Sequence, residues 1–222
     1  MISPQNVQES LQKHLLVDGY NIVIDLEKSQ GVWLHDAKSG NKYLDMFTFF
    51  ASLPLGFNHP KMANAEFVEK LGKSAVTKVS NSDIYTTEIA ETVETFSRVG
   101  IPAELPHLFF ISGGALAVEN CLKAAFDWKV RKNFAKGIKT AKGSKVIHFE
   151  KAFHGRTGYT LSLTNTSDPR KYQYFPLFDW PRVSPPAVTF PLSEANRLAV
   201  QNAEAKTLEA INNAINDNPD DI

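Results

Sequence analysis

Cysteine is almost missing from this chain: Cys121 is the single one in 222 residues. One thiol permits no internal disulfide, which excludes a disulfide-stapled secreted fold and suits a reducing compartment. In a helical stretch Cys121 reads as a small buried hydrophobe rather than a reactive thiol. An excess of charge is missing too, since 24 Lys plus Arg balance 24 Asp plus Glu. That removes the electrostatic footprint of a nucleic-acid binder or of a protein held on an anionic membrane. No apolar run approaches the roughly 20 residues of a membrane-spanning helix. The start, Met1-Ile2-Ser3-Pro4-Gln5, has neither a basic n-region nor an apolar h-region, so no signal peptide is expected. Neither Gly-x-x-x-x-Gly-Lys-Ser/Thr nor Gly-x-Gly-x-x-Gly follows a strand, which leaves little for a nucleotide-binding domain. There is no internal repeat and no low-complexity segment. The expectation is a cytoplasmic protein with no nucleic-acid partner, no membrane partner and no metal centre.

What is present is a globular composition, 43% hydrophobic and 22% charged. Ser3-Pro4 resembles a cap followed by proline at a first helical position, and Val7, Leu11 and Leu15 predict a helix over about 4–16. Three short strands are expected at 21–26, 32–36 and 42–46, separated by Gly31 and Ser39-Gly40, as a small antiparallel meander. Phe47-Thr48-Phe49-Phe50-Ala51-Ser52 is too aromatic for an ordinary loop and reads as core or as a pocket wall. Helices are predicted over about 60–71 and 84–99, the second preceded by the polar stretch Ser80-Asn81-Ser82-Asp83 and ended by Gly100 and Pro102.

From residue 100 onwards strands alternate with helices, which predicts an α/β sheet with parallel neighbours. Everything turns on Leu108 to Phe126. An apolar strand, Leu108-Phe109-Phe110-Ile111, runs into Ser112-Gly113-Gly114-Ala115 and opens a helix. Its expected apolar face is Leu116, Cys121, Leu122, Ala125 and Phe126, with Glu119 in or near the first turn. Paired glycines at such a junction serve either as a simple turn or as an anion cup. In the cup reading, the first helical N–H groups are unpaired and the helix dipole favours negative charge. A strand over 145–149 follows a basic loop, then comes Phe153-His154-Gly155-Arg156. A short helix is expected over 158–163, a proline-rich irregular excursion over 168–192 and a last helix over about 193–216. Asp221-Ile222 reads as the first step of a further strand.

Three stretches together resemble one family, the class III pyridoxal-phosphate aminotransferases. They are Tyr43-Leu44-Asp45 running into Leu55-Gly56-Phe57-Asn58-His59-Pro60; Ser112-Gly113-Gly114-Ala115 with Glu119 and Lys123; and Phe153-His154-Gly155-Arg156. Asp45 to Ser52, Gly113 to Asn120 and Ala152 to Thr166 are most similar to the family's lysine 6-aminotransferase branch, and Phe178-Asp179-Trp180-Pro181-Arg182 adds to the likeness. The resemblance implies a fold-type I, aspartate-aminotransferase-like scaffold. It implies a meander region over 1–55 and a large cofactor domain over 56–222, incomplete at its C-terminal end. It implies pyridoxal 5′-phosphate as cofactor and L-lysine and 2-oxoglutarate as substrates, the ε-amino group passing to 2-oxoglutarate. A homodimer is implied for the full-length family.

Residue by residue, Gly114 and Ala115 would give backbone N–H groups to the cofactor phosphate. Phe153, otherwise a core aromatic, would stack on its ring. His154, otherwise a hydrogen-bonded structural histidine, would support the site. Arg156 would take the substrate α-carboxylate with its planar fork, and Phe49, within the wall 47–52, would line the substrate channel. The sequence departs from the family in one respect: the Schiff-base lysine and the acid that pairs with the pyridinium nitrogen are expected beyond residue 222. Lys123, Lys145 and Lys151 all lie in the wrong setting, so no catalytic residue is assigned in this chain and the isolated fragment is expected to be inactive. The alternatives are another class III enzyme (ornithine, 4-aminobutyrate or acetylornithine aminotransferase), or a truncated, non-catalytic binding or interaction protein.

Overall fold

The structure, a computed structural model, describes residues 2–79 and 83–222. Packing divides the chain into two compact units, Met1–Pro106 and His107–Ile222. The boundary expected near residue 55 does not coincide with this division, because the segment after it is paired into the meander. Gly31 and Phe57 exchange backbone hydrogen bonds, both at 2.8 Å.

In the first unit a 3-10 turn (Pro4–Asn6) leads into α1 (Val7–Gln12), shorter than the helix expected to residue 16. Leu15 and Leu16 are 60% and 87% exposed, so no packed face extends the helix. β1 (Trp33–His35) and β2 (Lys42–Leu44) pair antiparallel, with Leu34 opposite Tyr43. The strand expected over 21–26 is reduced to one bridge, Ile24 to Asp36. Asp36 explains why the meander holds. Its carboxylate is buried and accepts from the N–H groups of Val23 (2.9 Å), Lys38 (3.0 Å) and Ser39 (3.1 Å) and from the Ser39 hydroxyl (2.5 Å). The Ser39 hydroxyl and these backbone donors lower its pKa to about 2. Asp36→Ala strands the donors and is expected to lower the unfolding midpoint of this unit at pH 7. In the parent that contribution is present above the ordinary carboxylate pKa and lost as pH falls through about 2. Urea titrations of parent and variant at pH 7 check it; equal midpoints would refute the role.

The aromatic segment after β2 forms a single tight turn, α2 (Thr48–Ala51), of unusual geometry. Thr48, Phe49, Phe50 and Ala51 have φ of 48°, 49°, 56° and 63°. Left-handed backbone is unfavourable for residues bearing a Cβ. Side-chain bonds hold it: Asp45 Oδ1 accepts from the N–H groups of Phe47 and Thr48, both at 2.9 Å, and Thr48 Oγ1 accepts from Ala51 N–H at 3.2 Å. Phe47 packs on the Phe49 and Phe50 rings with centroids 5.4 and 4.8 Å away, and Phe49 meets the buried Phe57 at 6.0 Å. Beyond it, α3 (Ala65–Ala75) starts later than Pro60, at the cap where Asn64 Oδ1 accepts from Phe67 N–H. α4 (Thr87–Val99) starts at Thr86, whose hydroxyl accepts from Ile89 N–H. Of the polar stretch before it, Ser80, Asn81 and Ser82 lie outside the described residues.

The second unit supplies the α/β part. α5 (Gly114–Ala135) extends about one turn into the basic stretch, 132–145, expected to be loop. β3 (His148–Phe149) and β4 (Arg182–Val183) pair in parallel across α6 (Gly158–Leu163), so the expected parallel neighbours are present. α7 (Glu194–Asp217) is capped by Ser193, and its buried Thr207 donates to Ser184 O at 2.8 Å. The core joins Leu122, Leu163 and Trp180, with Val118, Phe126, Val146 and Tyr159 against them. The inward stripe of α5 is therefore Val118–Leu122–Phe126, one residue every fourth position. Cys121 lies about 100° around the helix from Leu122 and is exposed, which corrects the expectation of burial. Glu119, expected in or near the first turn of α5, lies in the second. Asp221-Ile222, expected as the first step of a further strand, lies at a turn after α7 and joins no strand ladder among the described residues; the Asp221 backbone oxygen accepts from Lys145 N–H at 3.0 Å.

Leu108 to Ile111, expected as a strand, joins no strand ladder among the described residues. Phe109 is 72% exposed. The whole chain leaves 17137 Å² accessible. No helix of the described residues is long and apolar enough to cross a membrane.

Candidate functional site

The site is built where α5 begins. Gly113 is its N-cap with φ 97°, so the turn into the helix needs a residue without a Cβ. It has no side chain to bond the first N–H groups. An added Cβ at either Gly113 or Gly114 would meet nothing within 4 Å, so a ligand can approach this backbone closely. The geometry fits a phosphate: unpaired donors, the positive end of a 22-residue helix and open space in front.

The Phe153–Arg156 turn lies directly on this helix end. Gly155 has φ 119°, and a Cβ there would stand 2.4 Å from the Cβ of Ala115. Only glycine allows the two backbones to come this close. Two threonines fix the turn. Thr164 Oγ1 donates to Gly155 O at 2.7 Å and accepts from His154 N–H at 3.0 Å, while Thr157 N–H donates to Thr160 Oγ1 at 3.0 Å. Phe153 stays 61% exposed, its face available to a flat ligand. The Arg156 guanidinium carbon lies 6.0 Å from the Phe153 ring centroid, at the outer limit of a cation–π contact. Gly114, Ala115, Phe153, His154 and Arg156 are thus brought together. Phe49 belongs to the first unit and sits in its aromatic cluster.

The histidine that is structural here is His148, which the sequence marked only as a strand residue. It is 6% exposed; its Nε2 lies 3.1 Å from Ser162 O, and its Nδ1 has no protein partner. Burial, helped by the charges of Arg182 and His154, pushes its pKa down to about 4. Arg182 also donates to Ser162 O, at 3.0 Å. Among the lysines considered earlier, Lys145 bonds Asn218 Oδ1 at 2.6 Å and Lys123 contacts Asn120 on its own helix. The signals that could have located the second layer are the Thr160–Thr164 pair at helical spacing and the glycine inside Phe-His-Gly-Arg.

The family model described as "Aminotransferase class-III" matches residues 16–222. The chain belongs to the class-III aminotransferases. Members of this family depend on pyridoxal phosphate. The chain is 52% identical over 222 residues to the L-lysine-epsilon aminotransferase of Mycobacterium tuberculosis, covering 99% of this chain and 48% of that protein. It is 50% identical over 214 residues to that of Amycolatopsis lactamdurans, covering 95% and 46%. A 4-aminobutyrate aminotransferase of Mycosarcoma maydis is 32% identical over 213 residues, covering 88% and 41%. A solved lysine aminotransferase from M. tuberculosis superposes with a TM-score of 0.90 at 50% identity, over 100% of this chain and 50% of that one. The α/β architecture is therefore that of the class-III aminotransferases. The chain spans about half the length of the curated relatives it matches.

Proposed function

We propose that the chain is the first half of an L-lysine 6-aminotransferase and carries the phosphate cup, the ring-stacking face and the carboxylate-binding arginine of its active site. The observation that carries the reading is Gly155 seated on Ala115, which holds a flat aromatic and a helix N-terminus side by side. The 52% identity to an L-lysine-epsilon aminotransferase against 32% to a 4-aminobutyrate aminotransferase favours lysine over 4-aminobutyrate.

In this reading the N–H groups of Gly114 and Ala115 hold the phosphate of pyridoxal 5′-phosphate, and Phe153 limits the tilt of its ring. When bound, the cofactor supplies the electron sink for amine transfer. His154, whose N–H is fixed by Thr164, keeps Phe153 in register. Arg156 takes the α-carboxylate of L-lysine, so the ε-amine reaches the reacting end. The amine then passes to 2-oxoglutarate, giving glutamate and 2-aminoadipate 6-semialdehyde. The Schiff-base lysine and the acid at the pyridinium nitrogen come from the remaining length, so residues 1–222 alone should be inactive. A cytoplasmic homodimer completes the proposal.

The test is an amine-donor panel on a full-length form, with 2-oxoglutarate as acceptor. L-lysine should be preferred over ornithine and 4-aminobutyrate; equal rates would refute the substrate. Arg156→Ala in the same form should raise KM for lysine by about tenfold or more, the scale of a lost charge-assisted pair. An unchanged KM would refute the role given to Arg156.

A further inference from the structure

We propose that Glu119 is a positioning residue that holds the ring-stacking turn in register with the phosphate cup; this rests on the site reading above. Glu119 follows Ala115 by four residues, so both lie on one stripe of α5. On that stripe the chain from Gly155 to Tyr159 is pinned twice. Gly155 sits against the Ala115 methyl, and Glu119 Oε1 accepts from Tyr159 N–H at 3.0 Å. Tyr159 is the second residue of α6, whose N–H has no partner within its own helix. Thr157 and Thr160 bond each other at the neighbouring positions, and no acid lies in the first turn of α6. Glu119 thus supplies from α5 the acceptor that α6 lacks. Arg156 directly follows Gly155 and Phe153 lies two residues before it, so both are carried on the segment that Glu119 helps to hold against α5. Thr160 and Thr164 fix the turn to α6, and apolar packing of Phe126 on Tyr159 joins α6 to α5; the Glu119 bond adds a polar tie one helical turn from Ala115.

The experiment measures binding of two ligands to the 222-residue chain. Pyridoxamine 5′-phosphate touches cup and aromatic face and has no aldehyde for surface lysines to trap. Inorganic phosphate touches the cup alone. Glu119→Ala should weaken pyridoxamine phosphate by about tenfold and leave inorganic phosphate within about twofold. Glu119→Gln keeps the acceptor and should restore parental binding of both. Glu119→Asp keeps the charge but shortens the reach, and should behave as the alanine variant even if the latter folds poorly. Equal weakening of both ligands would mean a purely structural role and overturn the proposal, as would full pyridoxamine phosphate affinity in Glu119→Ala. A parent chain that binds neither ligand would overturn the site reading itself and this inference with it.

Discussion

Gly155→Ala is expected to destabilise the second unit strongly. Two effects combine. The new Cβ would stand 2.4 Å from the Ala115 Cβ, 2.9 Å from Thr160 Oγ1 and 3.0 Å from the Ala115 Cα. These are parts of helical segments rather than the far end of a flexible side chain, so relief requires moving α5 against α6. Overpacking of this kind costs about 1–3 kcal/mol, and a Cβ at φ 119° adds about 1–2 kcal/mol of backbone strain. The sum, about 3 kcal/mol or more, is a large part of the stability of a small domain. Urea unfolding of parent and variant chains checks it. Gly113→Ala is the control: the space there is open, so backbone strain alone should remain. Equal losses at the two positions would show that the close approach at Gly155 is not what restricts it.

The second large effect is pH dependence through His148. Its folded pKa, about 4, lies below the ordinary value of 6.5, so the unfolded chain takes up a proton more readily than the folded one. Above about pH 6.5 both states are neutral and the group imposes no penalty. As pH falls through 6.5 the unfolded state gains a proton first, and stability declines until about pH 4, where the folded state protonates too. With the ring 6% exposed, the full loss is about 3 kcal/mol. The charges of Arg182 and His154 act against the imidazolium form of His148. His148→Phe should abolish the slope between pH 6.5 and 4.5, and Ser162 O would keep its Arg182 donor. A parent chain with a flat urea midpoint over that range would contradict the argument, as would an undiminished slope in the variant.

Much of this was readable from residues alone, and the reasons for the rest are specific. The glycine pair after an apolar segment announced the open helix end because its logic is local: φ, a missing Cβ and unpaired donors within four residues. The caps at Asn64 and Thr86 are local as well, yet they set helix starts later than the expected 60 and 84, whereas the long last helix came out within one residue. Glu119 could not be read in this way. Its position near the start of α5 suggests a dipole partner of its own helix, whereas its carboxylate serves an N–H forty residues further on. Cys121 was misplaced because a broad apolar face was expected and the packed stripe is narrow. Leu108 to Ile111 has the composition of a central strand, but a ladder needs neighbours, and none pairs with it among the described residues. Four positive φ values in succession at Thr48–Ala51 ran against every propensity those residues have.

That last segment has a stereochemical consequence. A turn of this hand is the mirror image of an ordinary helical turn, so it is the natural conformation of D-amino acids. Elsewhere in a helix, inverting one α-carbon places the Cβ against the following carbonyl at about 1–2 kcal/mol. At Ala51, with φ 63°, the penalty falls on the natural enantiomer and inversion relieves it. A semisynthetic chain with D-alanine at position 51 should therefore be more stable than its all-L counterpart. Here the chain is folded against its own chirality, held so by the Asp45 carboxylate and a cluster of phenylalanine rings.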